Sequence, residues 1–321
     1  MDRIMKDGIW GLIVGDAMGA AVEFGERWMR DFDPVKEMRS GGMFEVPIGG
    51  WTDDTSMALA TLQSLKSGYH PVDIMEQFVA WLRHGKYSLF TYPIGIGKQI
   101  LRAIEAYEKY GDIHTCGPST ERDNGNGSLM RILPVCLYGY SKQKEQEMST
   151  EEVLVMIHEV SGLTHNHMRS KIACGLYYFM MCEVIERQGT LLECMQKGLD
   201  KGFQFYRTND IGNVAGDSET ELAHYKRLEN LYIFKEEVRE HINSTGYVVD
   251  TLEAAVWCLI TEDNYERTIL EAVNLGLDTD TIAAVAGGLA GLYYGYEGIP
   301  EEWIQNIKKK DIIEECLYEK G

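Results

Sequence analysis

Two short segments constrain this chain more than any other feature. "GGWTDDTSMALATL" (49–62) sets Asp53 and Asp54 side by side between Thr52 and Thr55, and "NLGLDTDTIAAVAGGLAGLYYG" (274–295) alternates Asp278, Thr279, Asp280 and Thr281. Each cluster runs into small apolar residues at helical spacing, the mark of a loop entering a helix. Helix capping accounts for one carboxylate at such a junction, because Thr or Asp accepts from free backbone N–H groups and an acid suits the positive end of the helix dipole. It accounts less well for the second. Residues two apart do not share a helix face, so Asp278 and Asp280 converge only where the backbone is still a turn. If the two junctions meet, four carboxylates and their threonine hydroxyls face one space, an arrangement that demands a cation. Oxygen-only ligands select a hard metal such as magnesium, manganese or calcium. This many carboxylates suit two ions, as in binuclear hydrolytic sites.

The rest of the chain reads as helix. "KIACGLYYFMMCEVIERQ" (171–188) and "TLEAAVWCLITEDNYERTILEAVNLG" (251–276) are rich in helix formers, only seven prolines occur, and no Pro/Gly/Ser-rich linker divides the sequence. With 321 residues and 45% apolar content the chain can bury a large core. The expectation is a single all-α domain over 1–321, with a polar excursion at about 206–243 made of loops and exposed helix that form a rim over the site. A formal net charge of −19 argues against an extended nucleic-acid or anionic-membrane surface, since both use basic patches. No run reaches the roughly 18 uncharged apolar residues needed to span a bilayer. Asp16 and Glu23 interrupt the apolar start "GIWGLIVGDAMGAAVEFGE", so export is not expected. The seven cysteines are odd in number and lack CxxC spacing, which reads as buried free thiols in a reducing cytoplasm.

Other segments carry weaker signals. Gly11, Gly15 and Gly19 form a smooth stripe that lets another helix approach, whereas Asp16 and Glu23, embedded in the same apolar stretch, need partners. "NGNGSLMRILPV" (124–135) is either a phosphate-cradling loop at a helix start or an ordinary turn, and it lacks the lysine of a Walker loop. His165 and His167 stand two apart without HExxH or a third His/Cys cluster, which argues against zinc. Ser149 to Glu152 reads as a capping box.

In this order, "GDAMGAAVEF", "GGWTDDTSMALA", "GNGSLMRILPV", "LTHNH", "GYVVDTLEAAVW" and "LGLDTDTIAAVAGGLAGLYYG" resemble the ADP-ribosylglycohydrolase family, typified by dinitrogenase reductase-activating glycohydrolase. The resemblance covers about residues 8–296. It implies a compact, all-α orthogonal helical bundle with a binuclear magnesium or manganese site in a central cleft. The enzyme would hydrolyse the bond between C1″ of ADP-ribose and an acceptor, an ADP-ribosylated protein or another modified molecule. By this resemblance Thr52, Asp53, Asp54, Asp278, Asp280 and Thr281 are the metal ligands, and Glu23 falls where some members carry a glutamate beside the metals. Asn124, Gly125, Asn126, Gly127 and Ser128 match the loop for the diphosphate and distal ribose, and Gly95 keeps a glycine of the acceptor-side loop. His165 matches a pocket histidine and Tyr247 an aromatic near the adenosine.

The residue types suit that chemistry. An ADP-ribosyl bond breaks through an oxocarbenium-like transition state, so the site must hold the ribose, activate a water and stabilise the leaving group. Asp53 and Glu23 are the candidate proton acceptors. One departure bears on specificity: arginine-directed bacterial members commonly show Phe-Asp-Ile-Gly where this chain has "TYPIGIG" (91–97), so Pro93 takes the acidic position. The alternative reading is a catalytically silent ADP-ribose-binding or toxin-blocking protein of the same fold.

Overall fold

The computed structural model describes residues 2–209 and 218–317. Sixteen α-helices and four short 3-10 segments account for their regular structure; among the described residues no β-strand forms, and only two isolated bridges occur, Gly41 with Val46 and Gly125 with Tyr247. The expectation of an all-α fold therefore holds.

At the centre the amino-terminal helix Asp2–Gly19 lies along the helix Thr279–Tyr294. Both are buried on nearly every side, which matches their apolar composition all round. The glycine stripe explains how closely they approach. A Cβ on Gly15 would stand 2.0 Å from the Ala283 carbonyl oxygen, and one on Gly11 would stand 2.2 Å from that of Gly287. Only hydrogen fits at either position. Because the two backbones are in contact, the first turn of Thr279–Tyr294 is brought against the end of Asp2–Gly19, where Thr279 Oγ1 donates to the Gly19 carbonyl at 3.0 Å.

Around this pair pack the helices Asp53–Leu65, Met168–Glu186, Val248–Thr261 and Tyr265–Asn274. Local signals set several boundaries. Ser149 and Glu152 form the expected capping box, with Glu152 N donating to Ser149 Oγ at 3.2 Å and Ser149 N donating to Glu152 Oε2 at 2.7 Å. Thr190 and Glu193 form a second one that begins Leu191–Thr208. All seven cysteines are unpaired, six of them buried and Cys182 half-buried. No helix among the described residues is long and apolar enough to cross a membrane.

Residues 210–217 of the polar excursion lie outside the described residues; its described part consists of short helical pieces and loops with many exposed residues. The helix Leu191–Thr208 continues into it, and the pieces Ser218–Leu222, Ala223–Glu229, Leu231–Phe234 and Arg239–His241 follow. They bury Tyr225, Leu228, Leu231 and Phe234 in the core. Apolar residues spaced among many charges anchor this segment, and its described residues supply none of the cleft lining.

Candidate active site

Both acidic junctions are loop-to-helix entries, and they meet. Asp53–Leu65 starts from Thr52 in an extended conformation, and Thr279–Tyr294 starts from Asp278. Neither Thr52 nor Asp278 caps its helix through its side chain. Among the acids of the second junction Asp280 Oδ1 accepts from Thr281 N at 2.9 Å, but the N-cap side chains themselves are spent elsewhere.

Asp16, on the amino-terminal helix, is fully buried and organises the first junction. Its carboxylate accepts from Thr52 N at 3.0 and 3.1 Å, Thr52 Oγ1 at 3.0 Å, Thr55 N at 3.0 Å and Thr55 Oγ1 at 2.6 Å. Burial pushes this acid up to about 6 against the lowering effect of those donors. Thr52 Oγ1 also lies 3.2 Å from Asp54 Oδ2 and 3.1 Å from Asp280 Oδ2. One hydroxyl proton therefore faces three carboxylate oxygens, and negative charge is in excess.

The excess grows towards the cleft. Oxygens of Glu23, Asp278 and Asp280 all lie within 4.8 Å of one another. Glu23 is held there by backbone pairing: Phe24 N donates to the Leu277 carbonyl at 2.6 Å, and Leu277 N to that of Gly25 at 2.7 Å. Burial, then repulsion from Asp280 and Asp278, pushes Glu23 up to about 11. Burial first, and neighbouring carboxylates after it, also raise Asp53, Asp54 and Asp280 well above the usual range. Asp278 is raised by burial, opposed by a 2.6 Å hydrogen bond from Asn126 Nδ2. Among the described residues no lysine or arginine forms an ion pair with any of these acids, and Glu23 Oε2 and Asp54 Oδ1 are buried without a hydrogen-bond partner. Buried carboxylates without a cation are costly. An all-oxygen donor set with two orphaned oxygens fits a hard divalent ion.

These acids sit in a cleft of about 450 Å³. The glycine loop also lines it, tied to the segment before Val248–Thr261 by Asn126 N to the Gly246 carbonyl at 3.1 Å and Val248 N to that of Asn124 at 3.0 Å. Asn126 Nδ2 bridges Thr251 Oγ1, at 2.8 Å, and Asp278, which ties the loop to the second junction. Gly95, with a φ of +78°, also lines the cleft.

The family model described as ADP-ribosylglycohydrolase matches residues 1–320. The chain belongs to the ADP-ribosylglycohydrolase family. It is 32% identical to the ADP-ribosylarginine hydrolase Tri1 of Pseudomonas putida, over 99% of this chain and 78% of that one. It is 30% identical to the ADP-ribosyl-[dinitrogen reductase] glycohydrolase of Rhodospirillum rubrum, over 94% and 88%. A solved structure titled "ADP-ribosylglycohydrolase-related protein complex" superposes with a TM-score of 0.76 at 29% identity, covering 98% of this chain and 96% of that one.

Of the residues that the family resemblance singles out, Glu23, Asp53, Asp54, Gly95, Gly125, Asn126, Gly127, His165, Asp278, Asp280 and Thr281 line the cleft of this ADP-ribosylglycohydrolase. Four do not. Thr52 stands behind the acids that it contacts. Asn124 bonds the Glu121 carbonyl at 3.1 Å and Ser170 Oγ at 3.2 Å. Ser128 Oγ is directed into the interior, where it accepts from Ser161 Oγ at 2.9 Å. The Tyr247 hydroxyl accepts from Arg169 Nη1 at 3.0 Å, and its backbone bridges to Gly125. His167 has a structural part, accepting from Arg169 N at 3.2 Å as the residue that caps Met168–Glu186. Sequence reasoning missed Phe24, Phe44, Lys98 and Gln99, which also line the cleft. The signal that could have found the last two is the glycine pair Gly95 and Gly97 just before a helix start.

Proposed function

We propose that this chain is a metal-dependent hydrolase that removes ADP-ribose from a modified acceptor by cleaving the C1″ glycosidic bond. The observation that carries the reading is the convergence of buried carboxylates, with no lysine or arginine among the described residues paired to them, in one cleft with a glycine loop. Thr52, Asp53, Asp54, Asp278, Asp280 and Thr281 would hold two magnesium or manganese ions. Bound there, such ions neutralise the acids and lower the pKa of a coordinated water.

The protein's own groups divide the remaining work. Gly125 and Gly127 offer an approach for the diphosphate that depends on N–H dipoles rather than net charge, which suits an acidic protein. Once bound cations offset the burial and repulsion that keep these acids protonated, Glu23 Oε2 and Asp53 would be the carboxylates at hand to take a proton from the attacking water as its oxygen bonds to C1″. The bond from C1″ to the acceptor breaks, and the acceptor leaves carrying a proton. The acceptor is an ADP-ribosylated protein or another modified molecule, the whole chain acts as one catalytic domain, and the unpaired cysteines support a cytoplasmic location.

Incubating the protein with ADP-ribosylated substrates, with magnesium and with excess EDTA, tests the reading. Release of ADP-ribose that stops in EDTA and in Asp53→Asn is expected. Full activity in EDTA overturns the metal centre, and binding without turnover in magnesium or manganese overturns the hydrolase.

A further inference from the structure

Arg131 is an unusual residue for a protein core. It is completely buried, and among the described residues no carboxylate pairs with it. Its guanidinium lies over the Phe78 ring with Cζ 4.6 Å from the centroid, and Nη2 donates to the Val160 carbonyl at 3.2 Å and to Thr164 Oγ1 at 2.7 Å. Nε and Nη1 have no partner. Desolvation of this size is expensive, and burial lowers the guanidinium to about 10.

The contact with Thr164 has a chemical consequence. Arginine can only donate, so Thr164 Oγ1 is the acceptor and its own proton must go elsewhere. Among the described residues the one acceptor within hydrogen-bonding distance of that hydroxyl is Nδ1 of His165, at 2.9 Å. The hydroxyl keeps its own bond when Nδ1 carries no proton and accepts from it. Burial, with Arg131 next in weight, pushes His165 down to about 3, so the ring is neutral and its single proton sits on Nε2.

Nε2 faces the glycine loop and has no hydrogen-bond partner of its own among the described residues. A Cβ on either Gly125 or Gly127 would stand 3.3 Å from it. The two glycines thus leave this N–H approachable in the wall where the proposed function seats a diphosphate. We propose that Arg131 and Thr164 are positioning residues that fix His165 as a permanent Nε2–H donor to an anionic phosphate oxygen at Gly125–Gly127. The inference rests on the ADP-ribose reading of the cleft for its ligand, and on the hydrogen-bond chain alone for its tautomer.

Nitrogen NMR of the labelled full chain at neutral pH reads the tautomer directly, with the His165 signal assigned by its loss in His165→Asn. A protonated Nε2 and an unprotonated Nδ1 are expected. A proton on Nδ1, or on both nitrogens, overturns the proposal whether or not ADP-ribose binds. Calorimetry with ADP-ribose then tests the consequence. Thr164→Val, which keeps the side chain's shape and removes the hydroxyl, should mix the tautomers and weaken binding about tenfold, whereas Thr164→Ser should stay within about twofold of the parent. Equal affinity in Thr164→Val overturns the positioning role. Failure of the parent protein to bind ADP-ribose strikes the proposed function instead, and the NMR result stands apart from it. If Thr164→Val does not fold, the parent spectrum and Thr164→Ser decide the matter.

Discussion

Gly95 sits where one methyl group would reach the chemistry. Its φ of +78° belongs to the region that favours glycine, and a Cβ there would lie 2.1 Å from Asp53 Oδ1. Gly95→Ala must push either the loop or the Asp53 carboxylate aside, and an error of about 1 Å in a reacting group costs on the order of a hundredfold in rate. A drop of about that size, with helical circular dichroism unchanged, is the expected result; hydrolysis within about twofold of the parent would show that the carboxylate can give way. Two positions earlier, Pro93 has no carboxylate to pair with the planar fork of a guanidinium. The acids that line the cleft, Glu23, Asp53, Asp54, Asp278 and Asp280, all belong to the central cluster. Hydrolysis of arginine-linked ADP-ribose is therefore expected to be slower than that of a serine- or nucleobase-linked substrate, and rates on the three decide it. A clear preference for arginine would locate the missing carboxylate elsewhere in the chain. At this scale the acids were legible because an acid in an apolar run must find a partner, as Asp16 finds Thr52 and Thr55. Arg131 was not. In "SLMRILPV" it reads like any solvated cation, and its burial arises only from helices that pack over it.

Helices deliver these residues, and the pair at the centre sets the tolerance. Asp16 sits one residue past Gly15 on the amino-terminal helix, and Asp280 three residues before Ala283 on its partner, so the spacing between the two axes fixes the spacing between two acids of the site. Gly15→Val inserts three carbons where a Cβ alone would come to 2.0 Å from the Ala283 carbonyl oxygen. Overpacking of this kind costs about 1–3 kcal/mol, and more where neither backbone can retreat. The expected outcome is a lower melting temperature together with loss of hydrolysis, because spreading the helices separates Asp16 from Asp280. Unchanged melting and activity would mean that the helices slide past the added bulk. The glycine stripe was readable as a packing surface, and the capping box at Ser149 as a helix start. The polar segment after residue 206 was not readable as anchored structure, since its core residues Tyr225, Leu228 and Leu231 are diluted by charge and recur every third residue, a 3-10 spacing rather than an α-helical stripe.

Over the whole molecule, the sequence reveals which residues carry charge but not how deeply the fold encloses them. The two acidic junctions stand far apart in the chain, and their meeting depends on the central helix pair, with Asp16 binding one and Gly19 touching the other. The enclosure has a thermodynamic signature. Unfolded carboxyl groups titrate near pH 4. Here Glu23 is raised to about 11, and Asp53, Asp54 and Asp280 also lie well above their usual range, all through burial first and mutual repulsion next. Between pH 4 and those raised values the folded chain binds more protons than the unfolded chain, so stability falls as pH rises. Basic groups pull the other way in narrower windows. His158 and His165, both lowered to about 3, are mostly neutral in either state above pH 7, and Lys171, lowered to about 8, offsets at most one proton. With a net difference of one proton, the ion-free protein should melt about 2 °C lower at pH 8 than at pH 7 in EDTA. Magnesium or manganese should reverse that order, because an ion that binds only the folded chain stabilises it, and does so most strongly where the carboxylates are ionised. Scanning calorimetry at the two pH values, with and without the ion, measures both effects. A melting temperature in EDTA that rises from pH 7 to pH 8 would mean that the clustered acids are already ionised and compensated within the fold.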